Sequence, residues 1–168
     1  MEITIRKATL EDAGAIAKVH VASWQTTYKG IMDEGFLRRL SVDKRKELWL
    51  NNIPREGSIV LVAELDCEII GFADGSPVKE GEYPGYDGDV TSIYFYEEHQ
   101  GKGYGKQLLN RLLDGFRQQG FTSAIVKVLE DNSACRFYES LGARHIDENM
   151  IEVAGGKANL LTYAWGKL

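Results

Sequence analysis

The chain has 168 residues, of which 43% are hydrophobic and 27% are charged, and its formal net charge is −5. This size and composition predict one globular domain over residues 1–168 and argue against a disordered chain. The acidic balance argues against nucleic acid or an anionic membrane as the main partner, because both attract basic surfaces. No apolar run approaches the roughly 20 residues of a membrane-spanning helix, and no secretory signal is visible. With two cysteines, Cys67 and Cys135, we expect a reduced cytoplasmic protein without a disulfide scaffold.

In the first half of the chain, hydrophobic periodicity predicts a strand, helices and a strand hairpin. The predicted elements are a strand at 3–6, a helix ending near Trp24, a loop with a short helix, a helix beginning after Ser41, and hairpin strands at 58–65 and 68–73. Two-residue hairpin turns favour Asp-Gly or Asn-Gly. The Asp66-Cys67 turn therefore requires either an awkward backbone at Cys67 or a longer loop.

The second half of the chain alternates strands with helices. The predicted elements are a loop at 79–88, a strand at 89–96, a helix from the glycines at 101–105 to Gly120, a strand at 121–129, a helix from Asn132 to Leu141, and strands at 144–153 and 157–165. The strand, helix and strand between residues 89 and 129 form a βαβ unit. Such a unit predicts a parallel pair of strands within a mixed sheet.

The segment that follows the strand at 89–96 is rich in glycine. It runs Gln100-Gly101-Lys102-Gly103-Tyr104-Gly105-Lys106. Glycine lets the backbone approach a ligand closely, and a helix N-terminus adds partial positive charge, so this loop predicts a phosphate or pyrophosphate site. Its two lysines, Lys102 and Lys106, add long, positively charged side chains that can contact a phosphate. The spacings of the dinucleotide loop G-x-G-x-x-G and of the nucleotide loop G-x-x-x-x-G-K-[ST] are both absent.

The remaining pattern, Gln100-x-x-Gly103-x-Gly105, resembles the acetyl-CoA signature of the GCN5-related N-acetyltransferase (GNAT) family. The strand at 91–95 and the segment 132–143 are similar to further motifs of that family. The resemblance implies an α/β (α+β) fold with a mixed, mostly antiparallel sheet of about seven strands. It also implies a splayed parallel pair at the centre of this sheet, about four flanking helices, and acetyl-CoA as the cosubstrate.

The resemblance also assigns residues to the acetyl donor. Tyr138 stands at the position of the family's tyrosine, which implies a general acid for the leaving thiolate; a buried core tyrosine is the alternative. Asn132 is expected to cap the following helix and to hydrogen-bond the pantetheine arm, which the backbone of the central strand would pair as an extra strand. The residues assigned to acetyl-CoA are Tyr94, Phe95, Tyr96, Gln100, Gly101, Lys102, Gly103, Tyr104, Gly105, Lys106 and Asn132.

A base must accept the proton of the attacking amine. Asp89 begins the central strand and is the candidate base, acting through a water molecule; a solvated carboxylate at the strand end is the alternative. Strict alternation along a strand predicts that Tyr94 faces away from Asp89. Of the other titratable groups, His20 is expected to pack on its helix and His99 to support the glycine loop. The histidines and cysteines are too scattered for zinc, so no metal is expected.

The acceptor is encoded less clearly. The segment Trp24-x-x-Thr27-Tyr28-x-Gly30 resembles one found in some small-molecule acetyltransferases, including polyamine-acting ones. The loop before the central strand is acidic, and aromatic rings with carboxylates attract cationic amines. The residues assigned to the acceptor are Trp24, Tyr28, Glu82 and Asp87. The prediction is a small-molecule primary amine that attacks directly, favouring a polyamine or a basic amino compound.

Four alternatives remain open on these residues. In the first, the acidic loop is a solvated surface loop, and Trp24 and Tyr28 lie in the core. The second is a non-enzymatic acyl-CoA-binding regulatory domain, and the third is another enzyme with a phosphate-containing ligand, of the doubly wound type. The fourth is an acetyltransferase for protein N-termini or lysines. A homodimer is also compatible with the sequence.

Overall fold

The computed structural model describes residues 2–168, which fold around one seven-stranded sheet. The strands are β1 (Thr4–Lys7), β2 (Ile59–Leu65), β3 (Glu68–Pro77), β4 (Gly88–Phe95), β5 (Ala124–Leu129), β6 (Arg144–Val153) and β7 (Gly156–Trp165). The helices are α1 (Ala13–Thr27), α2 (Glu34–Arg38), α3 (Val42–Asn52), α4 (Tyr104–Gln118) and α5 (Ala134–Ser140). Short 3-10 turns lie at Leu10–Asp12 and Glu97–His99.

The strand order is β1-β2-β3-β4-β5-β7-β6, and β4 with β5 is the parallel pair among antiparallel neighbours. These two strands pair only over Gly88–Val90 and Ala124–Val126. Beyond those residues β4 continues to Phe95 and β5 to Leu129, so the strands diverge and leave a gap between them. The predicted fold class, including the splayed central pair, is confirmed.

Helices cover both faces of the sheet. The apolar stripe of α4 packs on one face, where Leu108, Leu112 and Phe116 are fully buried. The Phe116 ring lies so close to the strand backbone that a Cβ at Gly75 would stand 2.5 Å from it, and one at Gly88 would stand 2.8 Å from it. Glycine at these two positions therefore lets α4 pack closely on the end of β3 and the start of β4. On the other face, α1 and α3 enclose a separate apolar cluster.

The hairpin between β2 and β3 turns on Asp66 and Cys67. Both residues have positive φ angles, 51° and 65°, in the left-handed region that residues with side chains rarely adopt. A two-residue turn with both central residues in this region matches the twist of the flanking strands. The awkward backbone predicted at Cys67 is confirmed, and it extends to Asp66.

An irregularity in β4 changes which side chains share a face. The register between β3 and β4 shifts by one residue at Thr91. Val90 and Ile93 are three residues apart, yet both pack in the core beneath α4. The prediction that Asp89 and Tyr94 face opposite sides was therefore wrong, because the extra residue at the bulge puts both on the α1 face.

Candidate active site

A cavity of about 740 Å³ opens where β4 and β5 diverge. The glycine loop, the start of α4 and the start of α5 form one side of it. The end of α1 and the β6–β7 hairpin form the other side. The cavity brings together the predicted residues Trp24, Tyr28, Tyr94, Phe95, Gln100, Gly101, Gly103, Gly105, Lys106, Asn132 and Tyr138.

The glycine loop has the backbone geometry of an anion site. Gly101 and Gly103 have φ angles of 74° and 84°, and α4 begins directly after Gly103. Among the described residues, the N–H groups of 101–106 have no backbone carbonyl partner, as expected where a helix starts. The Gln100 side chain donates to the carbonyl of Phe95 at 3.0 Å and ties the loop to the end of β4. These unpaired N–H groups beside a helix start suit a pyrophosphate.

Two residues of the predicted loop do not line the cavity. Lys102 is exposed to solvent. Tyr104 turns inward and packs on Phe95, with ring centroids 6.3 Å apart. Lys106 is therefore the lysine of this loop that borders the cavity, at the start of α4.

The backbone N–H groups of β4 that face the gap are not all those that the sequence predicted. The N–H of Tyr96 donates to the Ile70 carbonyl on β3 at 3.1 Å and is not available to a ligand. Because hydrogen-bonding direction alternates along an antiparallel strand, the N–H of Tyr94 also points to β3. The N–H groups of Ile93 and Phe95 point into the gap instead. The strand therefore offers the N–H groups of Ile93 and Phe95, and not those of Tyr94 and Tyr96, to a ligand in the gap.

Tyr138 borders the cavity from α5. Its side chain is buried between the rings of Phe137 and Trp165, at centroid distances of 5.4 and 6.2 Å. Burial raises the pKa of the Tyr138 hydroxyl, which therefore stays protonated at neutral pH. Asn132 precedes α5, accepts a hydrogen bond from the Ala134 N–H at 2.9 Å and also lines the cavity.

An aromatic cluster forms the acceptor side of the cavity. The hydroxyl groups of Tyr28 and Tyr94 lie 3.0 Å apart, and the Trp24 ring packs edge-on against Tyr28 at 5.0 Å. His20 stacks behind Tyr94 and accepts a hydrogen bond at Nδ1 from the Trp49 indole at 3.1 Å. Burial, with the nearby Arg45, lowers the pKa of His20 to about 4. His20 is therefore a neutral packing residue and not a base at physiological pH.

The sequence did not predict the part of the cavity wall that β5 and the β6–β7 hairpin contribute. Ile151, Val153 and Leu160 supply apolar surface, and the sequence held no signal that would bring this hairpin to the cavity. Lys127 was also missed. It alternates with buried Val126 and Val128, a pattern that does predict a side chain pointing away from the α4 core.

Lys127 meets one of the predicted acidic residues, Glu82, at the rim of the cavity. The Lys127 ammonium pairs with Glu82 and lies 5.6 Å from the centre of the Tyr83 ring. Asp89 does not line the cavity. It lies on β4 just before the point where β4 and β5 diverge, and its side chain is on the α1 face. Its pKa is raised to about 6 by burial, which Lys127 opposes and Glu82 and Asp74 reinforce.

Asp87 has a structural role at the other end of the parallel pair. Its carboxylate accepts a hydrogen bond from the Thr122 N–H at 2.8 Å, which lowers the pKa of Asp87 and fixes the loop before β5. Asp87 lines neither the main cavity nor the smaller one of about 300 Å³ that contains Glu82. The prediction that Asp87 binds the acceptor is corrected, since its carboxylate is held away from the site.

Within residues 2–168, no three His, Cys, Asp or Glu side chains lie close enough together to hold a metal ion. None of the helices in this range combines the length and the apolar character needed to cross a bilayer.

Known proteins share this sequence and geometry. Residues 21–143 match the Acetyltransferase (GNAT) family. An uncharacterized N-acetyltransferase, YuaI, of Bacillus subtilis is 33% identical over 99% of this chain and 94% of its own length. A spermidine N(1)-acetyltransferase of Thermoplasma acidophilum is 29% identical (79% and 82% covered), and an L-methionine sulfoximine/L-methionine sulfone acetyltransferase of Salmonella typhimurium is 30% identical (83% and 79% covered).

Solved structures agree with the sequence relatives. The PaiA N-acetyltransferase of Thermoplasma acidophilum, solved in complex with coenzyme A, superposes with a TM-score of 0.81 at 26% identity, covering 98% of this chain and 100% of its own. The resemblance noted in the glycine loop thus extends over nearly the whole chain. The chain therefore belongs to the GNAT family and is an acetyl-CoA-dependent N-acetyltransferase.

Proposed function

We propose that the protein transfers the acetyl group of acetyl-CoA directly to the primary amine of a small molecule, with a preference for cationic amines. One observation carries this proposal: a single cavity joins the glycine loop, the gap between β4 and β5, and the aromatic cluster at the end of α1. Donor and acceptor can therefore meet without a covalent intermediate on the protein.

The chemistry needs a base for the amine and an acid for the thiolate. A lysine-like amine with a pKa near 10.4 is neutral in only about one molecule in 2,500 at pH 7, so its proton must be removed. Asp89 is the proposed base, acting through water, because its pKa of about 6 gives it a useful proton affinity near neutral pH. Tyr138 is the proposed acid, since its hydroxyl is protonated at neutral pH and borders the cavity.

A backbone donor completes the proposed reaction. As the amine nitrogen bonds to the thioester carbon, the carbonyl oxygen gains negative charge. The N–H of Phe95 or Ile93, directed into the gap, is the proposed donor to that oxygen. The C–S bond then breaks, the sulfur takes the proton from Tyr138, and a proton from solvent restores the Tyr138 hydroxyl.

The surroundings of the acceptor side favour a cation. Trp24, Tyr28 and Tyr94 present aromatic rings to the cavity, and such rings attract cations. Glu82 and Asp147 line the smaller cavity together with Lys127, and the charge of Lys127 also acts on Asp89, so carboxylates outnumber ammonium groups here. The relative named for spermidine fits this acceptor class.

Amino acids are the second candidate class of acceptor. Lys127 borders the main cavity and offers a cation that could hold an α-carboxylate. The relative named for L-methionine sulfoximine supports this alternative. We favour the cationic amine because the Lys127 ammonium is already paired with Glu82.

A thiol-release assay tests the proposal with a diamine, an amino alcohol of the same length, and L-amino acids. We expect the highest kcat/KM for the diamine at low salt. This advantage should shrink as salt rises, because the screening length falls to about 10 Å at 0.1 M. Glu82→Gln should reduce the diamine's advantage. Glu80→Gln, an exposed change in the same loop that borders neither cavity, should not.

Each other outcome contradicts a defined part of the proposal. Equal kcat/KM for the diamine and the amino alcohol would remove the preference for cations. Fastest acetylation of amino acids, lost in Lys127→Met, would establish the second class. Thiol release with peptides alone would indicate a protein acetyltransferase, and none with any amine would support a regulatory acyl-CoA-binding domain.

A further inference from the structure

Asp74 is a partly buried carboxyl group to which the proposed reaction assigns no role. It lies on β3, opposite Ser92 of β4. Its Oδ1 atom is shielded from solvent and has no hydrogen-bond partner among the described residues. A carboxylate oxygen that has neither water nor a hydrogen-bond partner costs free energy, and such atoms are rare in folded proteins.

The register of the two strands brings Asp74 close to Asp89. Ser76 lies directly opposite Asp89, and Asp74 is two residues before Ser76 on the same strand. Side chains two residues apart on a strand share a face, so Asp74 and Asp89 are diagonal neighbours on the α1 face. Diagonal neighbours lie within about 7–8 Å of each other. The bulge at Thr91 creates this arrangement, because without it Asp89 would face α4.

Charged and titratable groups from four other elements surround this pair. They are Lys127 on β5, Glu82 in the loop before β4, Arg55 after α3, and His20 on α1. His20 is neutral above about pH 4 and adds no charge near pH 6. Lys127 is paired with Glu82, so its effect on Asp89 is partly cancelled.

The two carboxyl groups have different surroundings. Burial raises the pKa of Asp74, but the hydroxyls of Thr91 and Ser92 and the charge of Arg55 favour its ionised form. For Asp89, burial, Glu82 and Asp74 all raise the pKa, and Lys127 alone opposes them. The charge of Asp74 is one of the causes that raise the pKa of Asp89, so the two carboxyl groups titrate as a coupled pair.

We propose that Asp74 and Asp89 form one coupled carboxyl pair, in which Asp74 is the charged positioning residue and Asp89 exchanges the proton with the acceptor amine near neutral pH. The inference rests on the proposed function, because it takes Asp89 as the base. The proton passes from the ammonium group through water to Asp89 and then to solvent. Asp74 touches neither substrate and acts through Asp89.

The test is the pH dependence of kcat/KM in Asp74→Asn. Removing the neighbouring negative charge makes Asp89 a stronger acid, so the acidic limb should move to lower pH by about 0.5–1 unit. The matched control is Asp114→Asn, an exposed carboxyl on α4 that pairs with Arg117, and it should leave the limb unchanged. A folded Asp74→Asn protein that binds acetyl-CoA normally and has an unshifted limb would overturn the proposal.

A second measurement needs no variant. Carbon-13 NMR of the wild-type side-chain carboxyl groups should show Asp89 titrating mainly near pH 6, with a smaller step where Asp74 titrates. A single Asp89 step at the ordinary aspartate value, about 3.9, would refute the coupling. This titration also separates the two proposals, because it detects the pair even if no amine is acetylated.

Discussion

Replacing Gly103 with valine should abolish acetyl-CoA binding while leaving the fold largely intact. Gly103 has a φ of 84°, and a Cβ built there meets no atom within 4 Å. Valine would therefore add backbone strain of about 1–3 kcal/mol, without a steric clash inside the protein. Its side chain would occupy the space over the free N–H groups of the loop, where the pyrophosphate is expected.

The loss of affinity follows from the hydrogen bonds that valine would block. A hydrogen bond to a charged group contributes about 1.5–3 kcal/mol, so losing two costs at least about 3 kcal/mol. This corresponds to a weakening of more than about 100-fold. Calorimetric titration with acetyl-CoA measures the affinity, and urea denaturation measures the free energy of unfolding.

Gly120 provides the matched control for this substitution. It has a φ of 86°, also has open space around its Cβ position, and follows α4 at the end remote from the loop. Gly120→Val should lose a similar amount of stability and retain its affinity for acetyl-CoA. If Gly103→Val is folded and binds acetyl-CoA as tightly as Gly120→Val, the glycine loop is not the donor site.

Two further predictions concern proton transfer and pH. Tyr138→Phe removes one hydroxyl and should lower kcat by at least about tenfold with little change in the affinity for acetyl-CoA, since general acids contribute about 10²–10⁴-fold; an unchanged kcat would make Tyr138 a packing residue. His20 has a folded pKa of about 4, below its ordinary value, so protonation favours the unfolded chain. As far as His20 is concerned, the free energy of unfolding is highest above about pH 6.5. It falls by up to about 3 kcal/mol as the pH drops towards 4. Urea titrations should show a smaller pH dependence over this range in His20→Gln, and an equal dependence would argue against the buried neutral histidine.

The sequence predicted those parts of the site that short segments determine. The glycine loop, Asn132 and Tyr138 lie on adjoining segments of a βαβ unit and the helix after it, and the motif spacing alone indicated that they belong together. The predicted strands and the parallel pair also follow from local periodicity and from the glycines that end the helices.

Pairing between distant segments determined what the sequence did not predict. Which N–H groups face the gap depends on the register of β4 against β3, and the extra residue at Thr91 moved Asp89 to the acceptor face. The sequence indicated a free carboxylate at Asp87, but the Thr122 N–H, in the loop before β5, donates a hydrogen bond to it. Lys127 likewise neutralises Glu82 across 45 residues of sequence.

Initial-rate kinetics with both substrates varied test direct transfer within one cavity. Direct attack requires acetyl-CoA and the amine to be bound together, so the account predicts intersecting double-reciprocal lines and an N-acetylated amine formed in equal amount with free CoA. Cys135 is a poor acetyl carrier, because burial raises the pKa of its thiol. Parallel lines, the kinetic pattern of an acetylated protein intermediate, or CoA release without an acetylated amine, would contradict direct transfer.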